Sequence, residues 1–246
     1  MKLGFNLSIE RKTLEQVQAE IFEYQKVSTD VIELSLTSLS GILEFPFEKT
    51  YEAFSRFKYK SLHLPVVTGD DRSNNEFLIY PNRKVEPYLK IIKKVAQDIG
   101  INSYVLHPDQ VVDFEWASSE FGDLLGFENM DNKKKYGKTV KDLDSVFKKC
   151  PMAKFIFDVN HLYTNDNSMN SAQSFFDAFR DRLTHYHISA LGAQHDSFTK
   201  YPDEIVILNG IIETNIPMVH EGYKPEYGNA REEYELIGQE IRKRVQ

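Results

Sequence analysis

Along the chain, short apolar runs alternate with longer stretches in which apolar residues recur every three or four positions. Eight short runs read as strands buried on both faces. They are Lys2–Leu7, Val31–Leu36, Ser61–Val66, Ser103–His107, Leu124–Asn129, Lys154–Val159, Leu183–Ser189 and Pro217–Glu221. Between them, Thr13–Lys26 carries Leu14, Val17, Ile21 and Tyr24 at helical spacing, and Val85–Ile99 aligns Leu89, Ile92, Val95 and Ala96. Val140–Phe147, Ala172–Phe179, Asp203–Ile212 and Arg231–Val245 continue the helical series. The stretches around Phe47–Phe57 and Gln110–Glu120 are less regular. Strand–helix alternation along the whole chain predicts a parallel sheet with right-handed crossovers. Eight such units in 246 residues fit an α/β fold, a (β/α)8 TIM barrel forming a single domain over 1–246, since such barrels take about 250 residues.

Six of the runs end in a residue able to bind a metal: Ser-Leu-His63, Val-Leu-His107, Gly-Phe-Glu128, Phe-Ile-Phe-Asp158, His-Tyr-His187 and Val-His-Glu221. Barrel strands open their C-terminal ends around one mouth, so residues from different strands meet there. Glu128, Asp158, His187 and Glu221 come from the fifth to eighth strands, spaced by 30, 29 and 34 positions, about one βα unit each. Three carboxylates and an imidazole form a hard, oxygen-rich set that suits Mn2+, Zn2+, Co2+ or Mg2+. Without a cation the three carboxylates repel one another. His63 and His107, each followed closely by a proline, are expected to face the same pocket. There they would hold a second metal bridged by Glu128 or contact substrate oxygens. His161, in Asp158-x-x-His161, and His195 are candidates for a substrate contact, a general acid or a further metal ligand. His185 is expected deeper on the strand of His187, and His220 is expected to face a helix. The irregular stretch Thr68–Arg83 follows the third strand, at the rim where barrel loops carry function.

Composition narrows the classes further. The chain is 41% hydrophobic and 27% charged, with a formal net charge of −7. That charge supplies no general attraction to a polyanion, so DNA binding is expected to be weak and salt-dependent at most. Lys224 and Arg231, after Glu221, read as lone solvated charges or as holders of one phosphate, which suits a sugar phosphate as well as DNA. Cys150 is the sole cysteine, which rules out an internal disulfide and fits a reducing compartment. The N-terminal residues do not read as a signal peptide, and no apolar run approaches the roughly 20 residues of a membrane helix. A cytoplasmic location is therefore expected.

The segments LHLP, VLHPD, GFENMD, FDVNH, HYHIS and VHEG, in this order and at barrel spacing, resemble the successive strand-end motifs of the xylose isomerase-like TIM-barrel superfamily. That superfamily contains sugar and sugar-phosphate isomerases and epimerases, and endonuclease IV-type repair enzymes. In the isomerase branch, the resemblance implies one divalent metal on Glu128, Asp158, His187 and Glu221, with Glu128 and Glu221 also moving protons on a small polyhydroxy carbonyl substrate. In the endonuclease branch it implies two zinc ions on His63, His107, Glu128, Asp158, His187 and Glu221, and a third on His161, His195 and an Asp. This chain has Ala193 where that Asp is expected, with Asp196 nearby as a substitute, and lacks the endonuclease's N-terminal His and Gly-Gly signature. The sequence favours the metal-dependent isomerase or epimerase. An endonuclease IV-like phosphodiesterase is the alternative, and a barrel that binds without turnover is a third reading.

Overall fold

In the computed structural model, which describes residues 1–39, 41–67, 77–192, 195–223 and 229–245, the apolar runs form eight strands. They are β1 Leu3–Ser8, β2 Val31–Ser35, β3 Tyr59–His63, β4 Ser103–Val105, β5 Gly126–Glu128, β6 Lys154–Asp158, β7 Leu183–Ile188 and β8 Met218–His220. Their order is β4-β3-β2-β1-β8-β7-β6-β5, and every ladder is parallel. The two ends of that order meet at a Leu106–Phe127 bridge. There the Leu106 amide donates to Gly126 O (3.0 Å) and the Glu128 amide to Leu106 O (3.2 Å). The sheet thus closes on itself as a (β/α)8 barrel.

The helices are α1 Leu14–Val27, α2 Tyr51–Ser55, α3 Glu86–Ile99, α4 Phe114–Phe121, α5 Val140–Lys149, α6 Val159–Asn165, α7 Ala172–Phe179 and α8 Ala230–Val245. Thr13 and Thr139 open α1 and α5 with reciprocal capping boxes to Gln16 and Asp142. The faces read from helical spacing are the buried ones: Val17, Ile21 and Tyr24 on α1, and Leu89, Ile92, Val95 and Ala96 on α3. Phe147, Phe155, Phe157, Phe175 and Phe179 interlock at centroid distances of 5.0–6.5 Å, which pins α5 and α7 to β6. Close strand approach needs glycine at two places. A Cβ on Gly4 would lie 1.8 Å from the Val31 carbonyl oxygen, and one on Gly126 would lie 2.6 Å from Tyr104 O.

Most strand ends shift by one to three residues from the sequence reading, and three differences have a local reason. The α-helix expected over Asp203–Ile212 is instead a 3-10 helix, Pro202–Gly210. Ile205, Val206 and Ile207 are β-branched and consecutive, so no single stripe repeats every 3.6 residues. The fourth strand stops at Val105, because Pro108 lacks an amide donor and opens a 3-10 turn after His107. The strand expected to run to Val159 ends at Asp158, which caps α6 by accepting from the His161 amide (2.8 Å). Part of Thr68–Arg83, together with Ala193 and Lys224, lies outside the described residues. Among the described residues, no helix is long and apolar enough to cross a membrane.

Candidate metal centre

The eight side chains singled out in the sequence come together at the C-terminal end of the barrel. Glu128 and Asp158 are the last residues of β5 and β6, and His187 is next to last in β7. Glu221 follows β8, its amide donating to Ile188 O at 3.0 Å. Each of these four offers a ligand atom, and the four atoms lie within 4.8 Å of one another. His187 Nδ1 is 3.1 Å from Glu128 Oε1 and 3.4 Å from Glu221 Oε1. Three further groups share a member with this one, the first being Glu33 and His185 with His187. His63 and His107 bring their Nε2 atoms to 3.7 and 3.4 Å from Glu128 Oε2, and His161 and His195 gather with Asp158.

The protein's own hydrogen bonding leaves this cluster incomplete. Glu128 Oε2 and Asp158 Oδ2 are buried without a hydrogen-bond partner among the described residues, although buried carboxylate oxygens ordinarily have one. Burial, with the Glu128 and Glu221 charges, pushes the Asp158 carboxyl well above its usual range. Burial also raises Glu221, and the Glu128 charge adds to the rise. Burial works against ionisation of Glu128 too, but His187, His161 and His107 hold it well below the usual carboxylate range. Although burial opposes its charging, His161 is raised to about 9 by Asp158, Glu128 and Glu221. Orphaned carboxylate oxygens, excess negative charge and convergent imidazoles fit a divalent cation.

No family model matches the chain, and no curated protein matches it significantly. Solved structures do match over nearly the full length. Endonuclease IV from Thermus thermophilus overlays with a TM-score of 0.68 at 14% identity, covering 99% of this chain and 100% of that one. The E. coli 3-keto-D-glucoside 4-epimerase gives 0.60 at 15% identity over 98% and 99%. An L-ribulose 3-epimerase gives 0.58 at 10% identity over 99% and 97%. The fold is the (β/α)8 barrel that these structures share. At these identities the likeness speaks for the fold.

In this barrel, two residues outside the sequence-derived set organise the site. Asn129 straps β5 to β6, donating to Asp158 O and accepting from the Asp158 amide, both at 2.8 Å. Its carbonyl also lies 2.8 Å from His161 Nδ1. Glu33, in the middle of β2, is fully buried and lies 3.1 Å from His187 Nε2. Its only trace in the sequence is an acid inside the apolar run Val-Ile-Glu-Leu. His185 lies below His187 as expected, its Nε2 3.2 Å from that of His187.

Other candidates turn away. Asp196 caps the Ser197 amide (3.0 Å) and pairs with Lys200 (3.2 Å), so it does not replace the missing Asp beside His195. Arg231 donates to Lys26 O at the end of α1 (2.8 Å). His220 faces α8, where its Nε2 meets Glu233 Oε1 at 2.6 Å, while its Nδ1 accepts from the Gly222 and Tyr223 amides. This imidazole therefore braces the turn that carries Glu221.

Glu233 also accepts from Ser197 Oγ and from the Phe198 and Thr199 amides. Burial opposes its ionisation, yet His220 and these donors hold its pKa at about 2. A depressed carboxylate contributes stability above its unfolded value, near 4.3, and loses it as pH falls through the folded value. Glu233→Gln is therefore expected to destabilise by about 3 kcal/mol at pH 7. That difference from the wild type should shrink between about pH 4.5 and 2 in paired urea melts. A deficit that stays constant with pH would show that the charge contributes nothing.

A cavity of about 390 Å3 opens beside the cluster, with His161 and His195 on its wall. Asn132, Asn160, Tyr163 and Asn167 add polar groups to its lining. The volume lies in the range of small-molecule sites.

Proposed function

We propose that this chain is a divalent-metal-dependent isomerase or epimerase acting on a small polyhydroxy carbonyl compound. The observation that carries the reading is the pair Glu128 and Glu221. They approach one ligand group from β5 and β8, beside a cavity of small-molecule size lined by hydrogen-bonding side chains. Glu128, Asp158, His187 and Glu221 would hold the ion, which supplies positive charge for the oxygens flanking the reacting carbon. Glu128 ends β5 and Glu221 follows β8, so the two carboxyl groups reach a bound substrate from different strands and can serve as base and acid. Glu128 takes the proton next to the carbonyl, and Glu221 delivers one to the same carbon from the other side or to its neighbour. The amide and hydroxyl groups of Asn132, Asn160 and Tyr163 on the cavity wall suit the substrate's hydroxyls.

The test is solvent deuterium incorporation. Protein loaded with Mn2+ or Co2+ is incubated in D2O with a panel of ketoses, aldoses and their phosphates, and exchange next to the carbonyl is read by NMR. Exchange on at least one compound, reduced by about 100-fold or more in Glu221→Gln, is the expected result. No exchange with any member, by protein shown to contain metal, sinks the reading.

A second reading, a metal-dependent phosphodiesterase, draws on one specific observation: His63 and His107 lie on Glu128 opposite the four-ligand group, as a second ion would require. Asp196 turned onto Lys200 weighs against a complete three-ion set. Two or three metal equivalents, with hydrolysis of bis-p-nitrophenyl phosphate that is lost in Glu128→Ala, would favour it.

A further inference from the structure

Below the four-ligand group lies a polar layer around Glu33 and His185, itself a candidate ligand group through His187. The proposed reaction uses neither Glu33 nor His185. Strands β1, β2 and β3 pair in register at Asn6, Glu33 and Ser61. Asn6 Nδ2 donates to Glu33 Oε1 (3.0 Å) and Ser61 Oγ to Oε2 (2.7 Å). A carboxylate inside a barrel is unfavourable unless its charge is matched. The match comes from across the barrel, where His187 Nε2 lies 3.1 Å from Glu33 Oε2. The other ring nitrogen, Nδ1, faces Glu128 and Glu221 at 3.1 and 3.4 Å. His187 thus spans the two layers, with one nitrogen committed to each. A half-turn of the ring would present carbon to both.

We propose that Glu33 is the positioning residue of His187: it accepts the Nε2 proton and so fixes Nδ1 as the nitrogen offered to a divalent ion at Glu128, Asp158 and Glu221. The inference rests on the four-ligand reading above. An imidazole that ligates through one nitrogen donates from the other, and a carboxylate partner sets the ring's orientation and raises its basicity. His185 closes the floor beneath. Its Nδ1 lies 2.8 Å from the Tyr59 hydroxyl, and its Nε2 lies 3.6 Å from Glu33 Oε2. Side chains from β1, β3 and β7 therefore hold Glu33 still, and Glu33 in turn holds His187.

Co2+ titration of the metal-free protein, followed by its visible d–d absorption, tests this without any turnover assay. Relative to wild type, Glu33→Gln should lower Co2+ affinity by about 10–100-fold and alter the band, with the stoichiometry unchanged. Ser61→Ala, which only loosens Glu33, should shift affinity the same way by less. His187→Ala is the control for the site. If it binds Co2+ as the wild type does, the four-ligand reading has failed and the proposal falls with it. If His187→Ala loses Co2+ while Glu33→Gln keeps wild-type affinity and spectrum, the site stands and the role of Glu33 is overturned. Loss of one whole equivalent in Glu33→Gln, with another retained, would make Glu33 a ligand and also overturn it. Should Glu33→Gln not fold, 15N NMR of histidine-labelled wild type saturated with Zn2+ gives a direct reading. A protonated Nε2 and a metal-shifted Nδ1 on His187 are expected, and the reverse assignment refutes the proposal.

Discussion

Glu128→Ala is expected to empty the centre of metal altogether, the largest effect of any single substitution at the site. Glu128 belongs to two of the ligand groups at once, with Oε1 toward His187 and His161 and Oε2 toward His63 and His107. Removing it takes a donor from both ion positions and leaves several imidazoles facing one another. The affinity loss should exceed about 100-fold, the upper end for removing a mere outer-shell partner. His63→Ala touches only one group and should leave the four-ligand position loaded. Metal equivalents per chain, measured after dialysis against Mn2+ or Zn2+, check both variants. Retained metal in Glu128→Ala would remove this residue from the centre.

The second large effect concerns the frame. Gly4→Ala is expected to destabilise the barrel by about 3 kcal/mol or more, at the upper end for overpacking. The added Cβ would meet the Val31 carbonyl oxygen at 1.8 Å and its carbon at 2.4 Å. Both atoms belong to the backbone of the paired strand, so no rotamer change relieves the contact. For a chain of this length, such a loss lowers Tm by roughly 6–12 °C. A melting temperature unchanged from wild type would mean that β1 and β2 can part locally.

The frame and the rim of the site were legible in the sequence because the barrel's geometry repeats. Buried strands are apolar runs, and each run's last residue must appear at the mouth, so His63, Glu128, Asp158, His187 and Glu221 could be read from position alone. What escaped is what does not repeat. Glu33 lies mid-strand, and its partners Asn6, Ser61 and His187 are brought to it by strand pairing and barrel closure rather than by spacing. Asn129 acts through a side chain that imitates a backbone pair, which no periodicity reveals. The direct turn from β6 into α6 was hidden because Asp158 serves two purposes, ending a strand and capping a helix. The 3-10 helix after β7 reads as an α-helix because apolar content there is high while its spacing is irregular.

The barrel's closing seam coincides with its chemistry. Strands β4 and β5 have three residues each and meet through a single bridge, whereas β1 and β2 share five paired positions. His107 stands just past one side of that seam and Glu128 on the other. Local opening favours regions with few protecting backbone bonds, so the amides of Leu106 and Glu128 are expected to exchange with solvent faster than those of the β1–β2 ladder. An ion shared by His107 and Glu128 would bridge that gap from above. It would act as a clasp on the barrel, making slow exchange at two main-chain amides a report of whether the centre is filled.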